Sequence, residues 1–277
     1  MATLEEKEQK LRALLKGYGR VALGFSGGVD STLLLQIALD ELGAENVLPV
    51  LADTPSLPRS EFAEALRLAE GLGAACTVVD PRELDDPNYA ANPADRCYFC
   101  KKHLFRLIAE TAAAKGFGVV LDGNNADDAG DYRPGRRAAQ ELGVESPLME
   151  AGLTKAEIRA LSAREGLPTA EKPAMACLAS RIPYGTPVTA EVLGQVERAE
   201  AGLRAAGFGQ CRVRHHGEVA RLEVPASDLA RLVEAGVRER VVEGVKAAGY
   251  RYVALDLQGY RTGSLNEALA KKASLTA

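Results

Sequence analysis

The sequence has no run approaching the roughly 20 apolar residues that a bilayer-spanning helix needs, so no membrane partner is expected. It also lacks a basic excess. Lys and Arg number 34 against 38 Asp and Glu, for a net charge of −4, whereas a dedicated nucleic-acid binder carries surplus positive charge. The start, Met1-Ala2-Thr3-Leu4-Glu5-Glu6-Lys7, is too acidic and polar for a secretory signal, which implies a cytoplasmic protein. Five cysteines in a reducing compartment read as thiols or metal ligands, not as a disulfide framework. There is one Cys-x-x-Cys and no second, so the four-ligand pattern of a structural zinc site is missing. The three histidines, His103, His215 and His216, stand at no metal-ligand spacing from it. Internal repeats and low-complexity tracts are also absent.

What is present suits a globular protein. Apolar residues make up 47% of 277 positions, enough for one large core or two moderate ones. Apolar runs at 21–25, 47–51, 76–79 and 119–122 read as short buried strands. Between them, 31–42, 59–72 and 103–115 have helical length and spacing, and a shorter amphipathic helix is expected over 5–15. Strands alternating with helices predict an α/β fold, a mostly parallel sheet with helices on both faces. After a Pro-rich stretch from Glu171 to Pro187, helix-like 190–205, strand-like 211–214 and 219–224, a helix from Ser227 and a last strand at 253–255 predict a smaller α+β domain. The expected division is residues 1–170 and 171–277.

The most informative segment is Ser26-Gly27-Gly28-Val29-Asp30-Ser31, between the first strand and its helix. Glycines let the chain turn sharply and bring N–H groups close to an anion, and the helix adds its positive end. Ser26 and Ser31 supply hydroxyls, and Asp30 offers a carboxylate to Mg²⁺. The Lys-Ser/Thr pair of a Walker A loop is missing. The hexapeptide instead resembles the PP-loop of the ATP pyrophosphatases, which cleave ATP to an adenylylated substrate and pyrophosphate. Loops after later strands should line the same crevice. Asp53 is a candidate for adenine or ribose, with ordinary turn chemistry an equal reading. In Asp122-Gly123-Asn124-Asn125-Ala126-Asp127-Asp128 and the following Asp131-Tyr132-Arg133, the carboxylates and Arg133 suit Mg²⁺ and pyrophosphate.

Cys97 and Cys100, in Arg96-Cys97-Tyr98-Phe99-Cys100-Lys101, fall just before or inside the start of a helix, where cations and the helix end favour thiolate. Cys177, between Pro-rich segments and near Ser180 and Arg181, reads as a reactive thiol or as a small buried hydrophobe. Cys76 and Cys211 sit in apolar strand patterns and read as core. Arg212 and Arg214, two apart on a strand, face one way and suit a phosphate or carboxylate. Surface ion pairing is the alternative. Glu200 is a weaker candidate, and Arg204, Arg221, Arg231, Arg238 and Arg240 read as solvated.

The PP-loop, the Arg-Cys-Tyr-Phe-Cys-Lys segment, the Asp122–Asp128 loop with Tyr132-Arg133-Pro134-Gly135, Cys177-Leu178-Ala179-Ser180-Arg181-Ile182-Pro183-Tyr184-Gly185 and the stretch from Asp256 to Asn266 together resemble the LarE family almost end to end. The resemblance implies an ATP-dependent sulfur transferase of nickel-pincer nucleotide biosynthesis. ATP would adenylylate a carboxylate of pyridinium-3,5-biscarboxylic acid mononucleotide, and a sulfur nucleophile would displace AMP to leave a thiocarboxylate. It assigns Ser180, Arg181, Arg212 and Arg214 to the substrate nucleotide and carboxylates, with Glu200 a further substrate candidate from its place beside them. Cys177 and Asp30 are the catalytic candidates, and the resemblance implies a homo-oligomer that hands its product to the nickel-inserting enzyme. One branch of the family takes sulfur from a single cysteine, matching Cys177, which becomes dehydroalanine. Another binds a 4Fe–4S cluster on three cysteines, and the set Cys97, Cys100 and Cys177 favours that branch, since three thiolates leave one iron open for a sulfide.

Three rivals are weaker. A tRNA thiolation enzyme should show a basic face or zinc knuckles. An amide-forming synthetase leaves three cysteines idle and has no glutaminase domain to supply ammonia. A nucleotide-binding sensor would use the PP-loop without chemistry.

Overall fold

A computed structural model describes residues 2–130, 134–261 and 263–266. They divide into two compact units: residues up to Glu83 with Asp95–Met175, and Leu84–Ala94 with the residues from Ala176 on. In chain order the elements are α1 (Leu4–Tyr18), β1 (Val21–Gly24), α2 (Val29–Leu42), β2 (Val47–Ala52), α3 (Arg59–Gly71) and β3 (Thr77–Val79). The short α4 (Pro87–Ala90) belongs to the second unit. Then come α5 (Arg96–Ala114), β4 (Val119–Leu121), α6 (Pro134–Glu141), α7 (Pro147–Glu150) and α8 (Lys155–Arg164). The second unit continues with α9 (Ala190–Ala205), β5 (Arg212–His216), β6 (Val219–Glu223), α10 (Leu229–Val233), α11 (Ala235–Ala247) and β7 (Tyr252–Leu255).

The first unit is the α/β layer structure expected from the alternation. Its four strands are ordered β3-β2-β1-β4, and every neighbouring pair is parallel. Side chains alternate across the sheet: Val21 and Leu23 enter one core with α1, α2, α3 and α8, while Ala22 enters another with α5 and α6. Both faces are covered, which is why these strands read as continuous apolar runs. Helix α2 is apolar nearly all round, and Leu33, Leu34 and Leu35 are wholly buried. Each such burial is worth about 1.5–3 kcal/mol. Capping boxes at Thr3–Glu6 and Thr154–Glu157 start α1 and α8 by satisfying N–H groups that the first helical turn leaves over.

Helix α5 begins seven residues earlier than the apolar pattern suggests, which places Cys97 and Cys100 within its first two turns. Arg96 and the Lys101-Lys102 pair interrupt the apolar pattern there, so periodicity alone does not find that start. The expected single helix after Ser227 is broken into α10 and α11 at Glu234, whose extended backbone separates them.

In the second unit, β5 and β6 form an antiparallel hairpin through Gly217 (φ +62°), and β7 adds parallel to β6. Val213, Ala220 and Leu222 pack against α9 and α11. Residues 84–94 join this unit through Asn92, which is fully buried at φ +56°. Its side-chain amide donates to the carbonyls of Pro183 and Thr186, and its own carbonyl accepts from Gly185 N.

Helices α9 and α11 approach through two glycines. A Cβ on Gly202 would lie 3.3 Å from the Gly244 backbone, and one on Gly244 would lie 3.2 Å from Gly202 Cα. A long side chain there must push the helices apart, and overpacking of this kind costs about 1–3 kcal/mol. Gly202→Leu is expected to lower the unfolding free energy of the second unit by about that amount in a denaturant titration. An unchanged midpoint would mean that the helices are not held at this distance.

Candidate functional site

The turn between β1 and α2 is shaped by sterics. Gly27 has φ +67°, and a Cβ on it would sit 2.8 Å from Ala65 Cβ, so both backbone conformation and space demand glycine. Gly28 caps α2 with no side chain of its own. Ser31 Oγ donates to Gly28 O (3.2 Å) and lies 3.1 Å from Ser26 Oγ. Two hydroxyls therefore stand at a helix N-terminus whose first N–H groups have no intrahelical acceptor. That is an anion cradle.

Sheet order places a second loop beside it. The chain leaves β1 toward β2 and β3, then returns to add β4 on the other side of β1. The crevice at such a switch point is where open α/β sheets bind ligands. Gly123, just after β4, comes so close that a Cβ on it would lie 3.3 Å from Ser31 N and 3.4 Å from Asp30 Cβ. Asn124 donates from its backbone to Asp122 Oδ1 (3.0 Å), which also accepts from Ser146 Oγ (2.8 Å). Burial holds the Asp122 carboxyl above the usual carboxylate range despite these donors. Asn125 Nδ2 reaches Asp30 Oδ1 at 3.2 Å, and Asp128 Oδ2 accepts from Asn125 N at 3.0 Å.

Lys155 was not among the residues expected here. Its ammonium pairs with Asp30 Oδ2, and its backbone N–H donates to Asp127 Oδ2 at 2.8 Å. It opens α8, 125 positions from Asp30, and only the capping signature of Thr154 and Glu157 marks its place in the sequence. Among the expected residues, Ser26, Gly27, Gly28, Asp30, Ser31, Gly123, Asn124, Asp127 and Asp128 thus gather on two adjoining loops. Asp53 lies just past β2, about half exposed and paired with Arg59 at 2.5 Å. Arg133 lies outside the described residues, as do Asp131 and Tyr132.

The second unit holds a different site. The turn after Cys177 (Leu178–Arg181) is a single 3-10 turn. The carbonyl of Cys177 accepts from Ser180 N (3.0 Å), Ser180 Oγ (2.7 Å) and Arg181 Nη1 (3.0 Å), while the residue is exposed. Arg212 and Arg214 share one face of β5 and are 6% and 7% exposed, so solvated ion pairing does not describe them. Arg214 donates to Ser180 O, to Glu223 Oε2 and to Ser264 Oγ, each at 2.8 Å. The Arg212 guanidinium lies 5.2 Å from the Tyr260 ring centroid. Burial, followed by the charge of Arg181, draws the Arg212 pKa down. Two close guanidiniums in a dry setting favour an arriving anion.

Two expectations change. Arg181 is wholly buried and turned inward onto Glu200, also wholly buried, so neither side chain presents a surface to substrate. Arg221 is not simply solvated, because it pairs with Asp256 and with Glu223 Oε1. Arg231 likewise donates to the carbonyls of Gly207 and Ala206.

Cysteines fall into two classes. Burial pushes the Cys76 thiol up to about 11 and the Cys211 thiol up to about 12, which disfavours thiolate at both. Cys97 and Cys177 are exposed and Cys100 is half-buried. Cys97 and Cys100, three apart on α5, share a helix face in the first unit, and Cys177 belongs to the second. Among the described residues no group of three or more His, Cys, Asp or Glu is gathered in a metal-binding arrangement. No helix among them is long and apolar enough to cross a membrane.

The NAD synthase family matches residues 4–90, the stretch that contains the cradle. An argininosuccinate synthase from Haloarcula marismortui is 31% identical over 164 residues, 55% of this chain and 39% of that protein. The pyridinium-3,5-bisthiocarboxylic acid mononucleotide synthase of Lactiplantibacillus plantarum is 41% identical over 271 residues, 98% of each chain. The chain belongs to that synthase family, the LarE family of PP-loop enzymes. A Synechocystis protein of uncharacterised function is 43% identical over 268 residues, 97% of this chain and all of that one.

Gly27→Ala forces a left-handed backbone on an L-residue, at about 1–2 kcal/mol, and drives a methyl group into Ala65. Titration calorimetry is expected to show ATP affinity reduced at least about tenfold, since 1.4 kcal/mol is one decade. Wild-type affinity in the variant would mean that this turn is not the phosphate site. Brief iodoacetamide treatment at pH 8, followed by peptide mapping, should label Cys97 and Cys177 well before Cys76 and Cys211. Early labelling of Cys211 would contradict its burial.

Proposed function

We propose that this LarE-family enzyme uses ATP to activate a carboxylate of pyridinium-3,5-biscarboxylic acid mononucleotide and converts it to a thiocarboxylate. The observation that carries this reading is the pairing of two sites in one chain. One is a glycine-built anion cradle, and the other is an exposed thiol on a pinned turn beside two buried arginines. An amide-forming synthetase has use for the first site and none for the second.

In the first half-reaction a substrate carboxylate oxygen bonds to the α-phosphorus of ATP, and the bond from that phosphorus to the bridging oxygen breaks. Pyrophosphate leaves into the cradle, where the Ser26 and Ser31 hydroxyls and the first N–H groups of α2 neutralise its charge. Lys155 stands at the same place with its ammonium on Asp30. Asp30 and Asp127 are the oxygen donors that would hold Mg²⁺, and both are already bridged by Lys155. When bound, Mg²⁺ would screen the charge of the leaving pyrophosphate. We assign Asp53 to the nucleoside end, Ser180, Arg212 and Arg214 to the phosphate and carboxylates of the substrate, and the second unit to substrate binding and assembly into a homo-oligomer. The product would pass to the nickel-inserting enzyme.

In the second half-reaction a sulfur nucleophile attacks the acyl carbon and AMP departs. Cys97, Cys100 and Cys177 offer three thiols that are exposed or half-buried, a donor set that fits a 4Fe–4S cluster with one open iron. When bound, such a cluster would supply an exchangeable sulfide. A second reading is favoured by the exposure of Cys177 on its pinned turn. In it the Cys177 thiolate forms a thioester with the substrate and AMP leaves. A base then removes the Cys177 α-proton, the Cβ–S bond breaks, the sulfur stays on the substrate and dehydroalanine remains.

Substrate-dependent pyrophosphate release tests the common first half, and release without substrate, or none at all, would overturn the activity. Anaerobic reconstitution with iron and sulfide separates the two sulfur sources. The cluster reading expects about four irons per chain, lost in Cys97→Ala/Cys100→Ala, with repeated turnover. The sacrificial reading expects no bound iron and a loss of H₂S in the mass of the Cys177 peptide after one turnover.

A further inference from the structure

We infer that Arg181 and Glu200 form a buried positioning device for Cys177, and that neither is a substrate ligand. The inference rests on the sulfur-transfer reading and deepens it. Both side chains are completely buried. The pair is bidentate, Nε to Oε1 at 2.8 Å and Nη2 to Oε2 at 3.1 Å, which uses one edge of the guanidinium. The remaining nitrogen, Nη1, donates to Ala176 O (2.6 Å), Cys177 O (3.0 Å) and Ser180 Oγ (3.0 Å). One planar group thus clamps the peptide on each side of the Cys177 Cα.

Glu200 in turn is fixed from two elements. It rises from α9, and its Oε1 also accepts from Val213 N, on β5 between Arg212 and Arg214. Arg214 returns the connection by donating to Ser180 O. The exposed thiol and the two buried arginines are therefore referenced to the same carboxylate. Strand β5 and the Cys177 turn are thus tied to each other through Glu200 and through Ser180. Ion-paired burial is a poor source of stability, because desolvation offsets the attraction. Two bonds to the carbonyls that flank the Cys177 Cα, from a guanidinium fixed by three more, are instead a device for placement.

Lysine at 181 keeps the charge but lacks the planar fork that reaches Glu200 and three further oxygens together. Arg181→Lys is therefore the first variant. The second is Arg181→Met/Glu200→Leu, which removes both charges together and so leaves no buried charge unpaired. For each, thermal unfolding, substrate-dependent pyrophosphate release and thiocarboxylate formation are measured on the full chain. The expected result is a cooperative melt with sulfur transfer reduced at least tenfold more than pyrophosphate release, so that pyrophosphate formed per thiocarboxylate rises. Equal loss of the two half-reactions, or wild-type coupling in either folded variant, would overturn the positioning role. If the double variant does not melt cooperatively, Arg181→Lys decides alone. Should the wild type release no substrate-dependent pyrophosphate, the enzymatic reading fails first, and the two failures stay distinct.

Discussion

The first unit depends on how closely two loops approach at the carboxyl ends of β1 and β4. Gly27 leaves no room for a methyl group against α3, and Gly123 leaves little against the start of α2. These contacts follow from the strand order, since β4 joins the sheet beside β1 and must deliver its loop across the same helix end. The consequence is chemical. Carboxylates at Asp30 and Asp127, a lysine at 155 and two hydroxyls surround one concentration of backbone N–H groups. Charges of both signs arranged round a helix N-terminus can hold a polyphosphate and let part of it go.

Much of this was legible in the sequence because it is local. A strand, a Gly-Gly turn and a helix are consecutive, and the apolar runs of a doubly covered sheet identify themselves. Lys155 was not legible, because nothing local ties it to a residue 125 positions away. The arginines of the second unit show a subtler limit. The spacing of Arg212 and Arg214 gives their common face, but it does not say whether that face is wet. Arg181 looks like a ligand by type and by neighbourhood, and nothing in its sequence setting signals its complete burial against Glu200. The apolar pattern of α5 begins only at His103, because Arg96, Lys101 and Lys102 interrupt it, so the sequence left open whether Cys97 and Cys100 lie before the helix or in its first turn.

Buried charge in the second unit forms a connected series. Glu200 meets Arg181, Glu223 meets both Arg214 and Arg221, and Arg221 continues to Asp256. Each member is costly to desolvate alone, so the series resists any single rearrangement more than it adds to net stability. It runs from the Cys177 turn through the β5–β6 hairpin to the segment after β7, where Ser264 and Tyr260 meet Arg214 and Arg212. The LarE-like stretch from Asp256 onward thereby acquires a physical reason. It closes the outer side of the arginine pair, and Gly259, at φ +71° with the Val224 carbonyl 2.9 Å from where its Cβ would be, lets it lie that close.

The division of the cysteines bears on sulfur supply. Partial burial of Cys76 and full burial of Cys211 raise both thiols and disfavour their thiolates. The other three make opposite demands under the two readings. A sacrificial donor needs one exposed sulfur and access to the α-hydrogen on the same residue, and it gains nothing from Cys97 and Cys100. A cluster needs three sulfurs at once, and this chain distributes them over two units, two on one helical turn and one on a clamped turn. The clamp on Cys177 serves both cases, since a single nucleophile and a metal ligand alike need a fixed backbone beneath the sulfur.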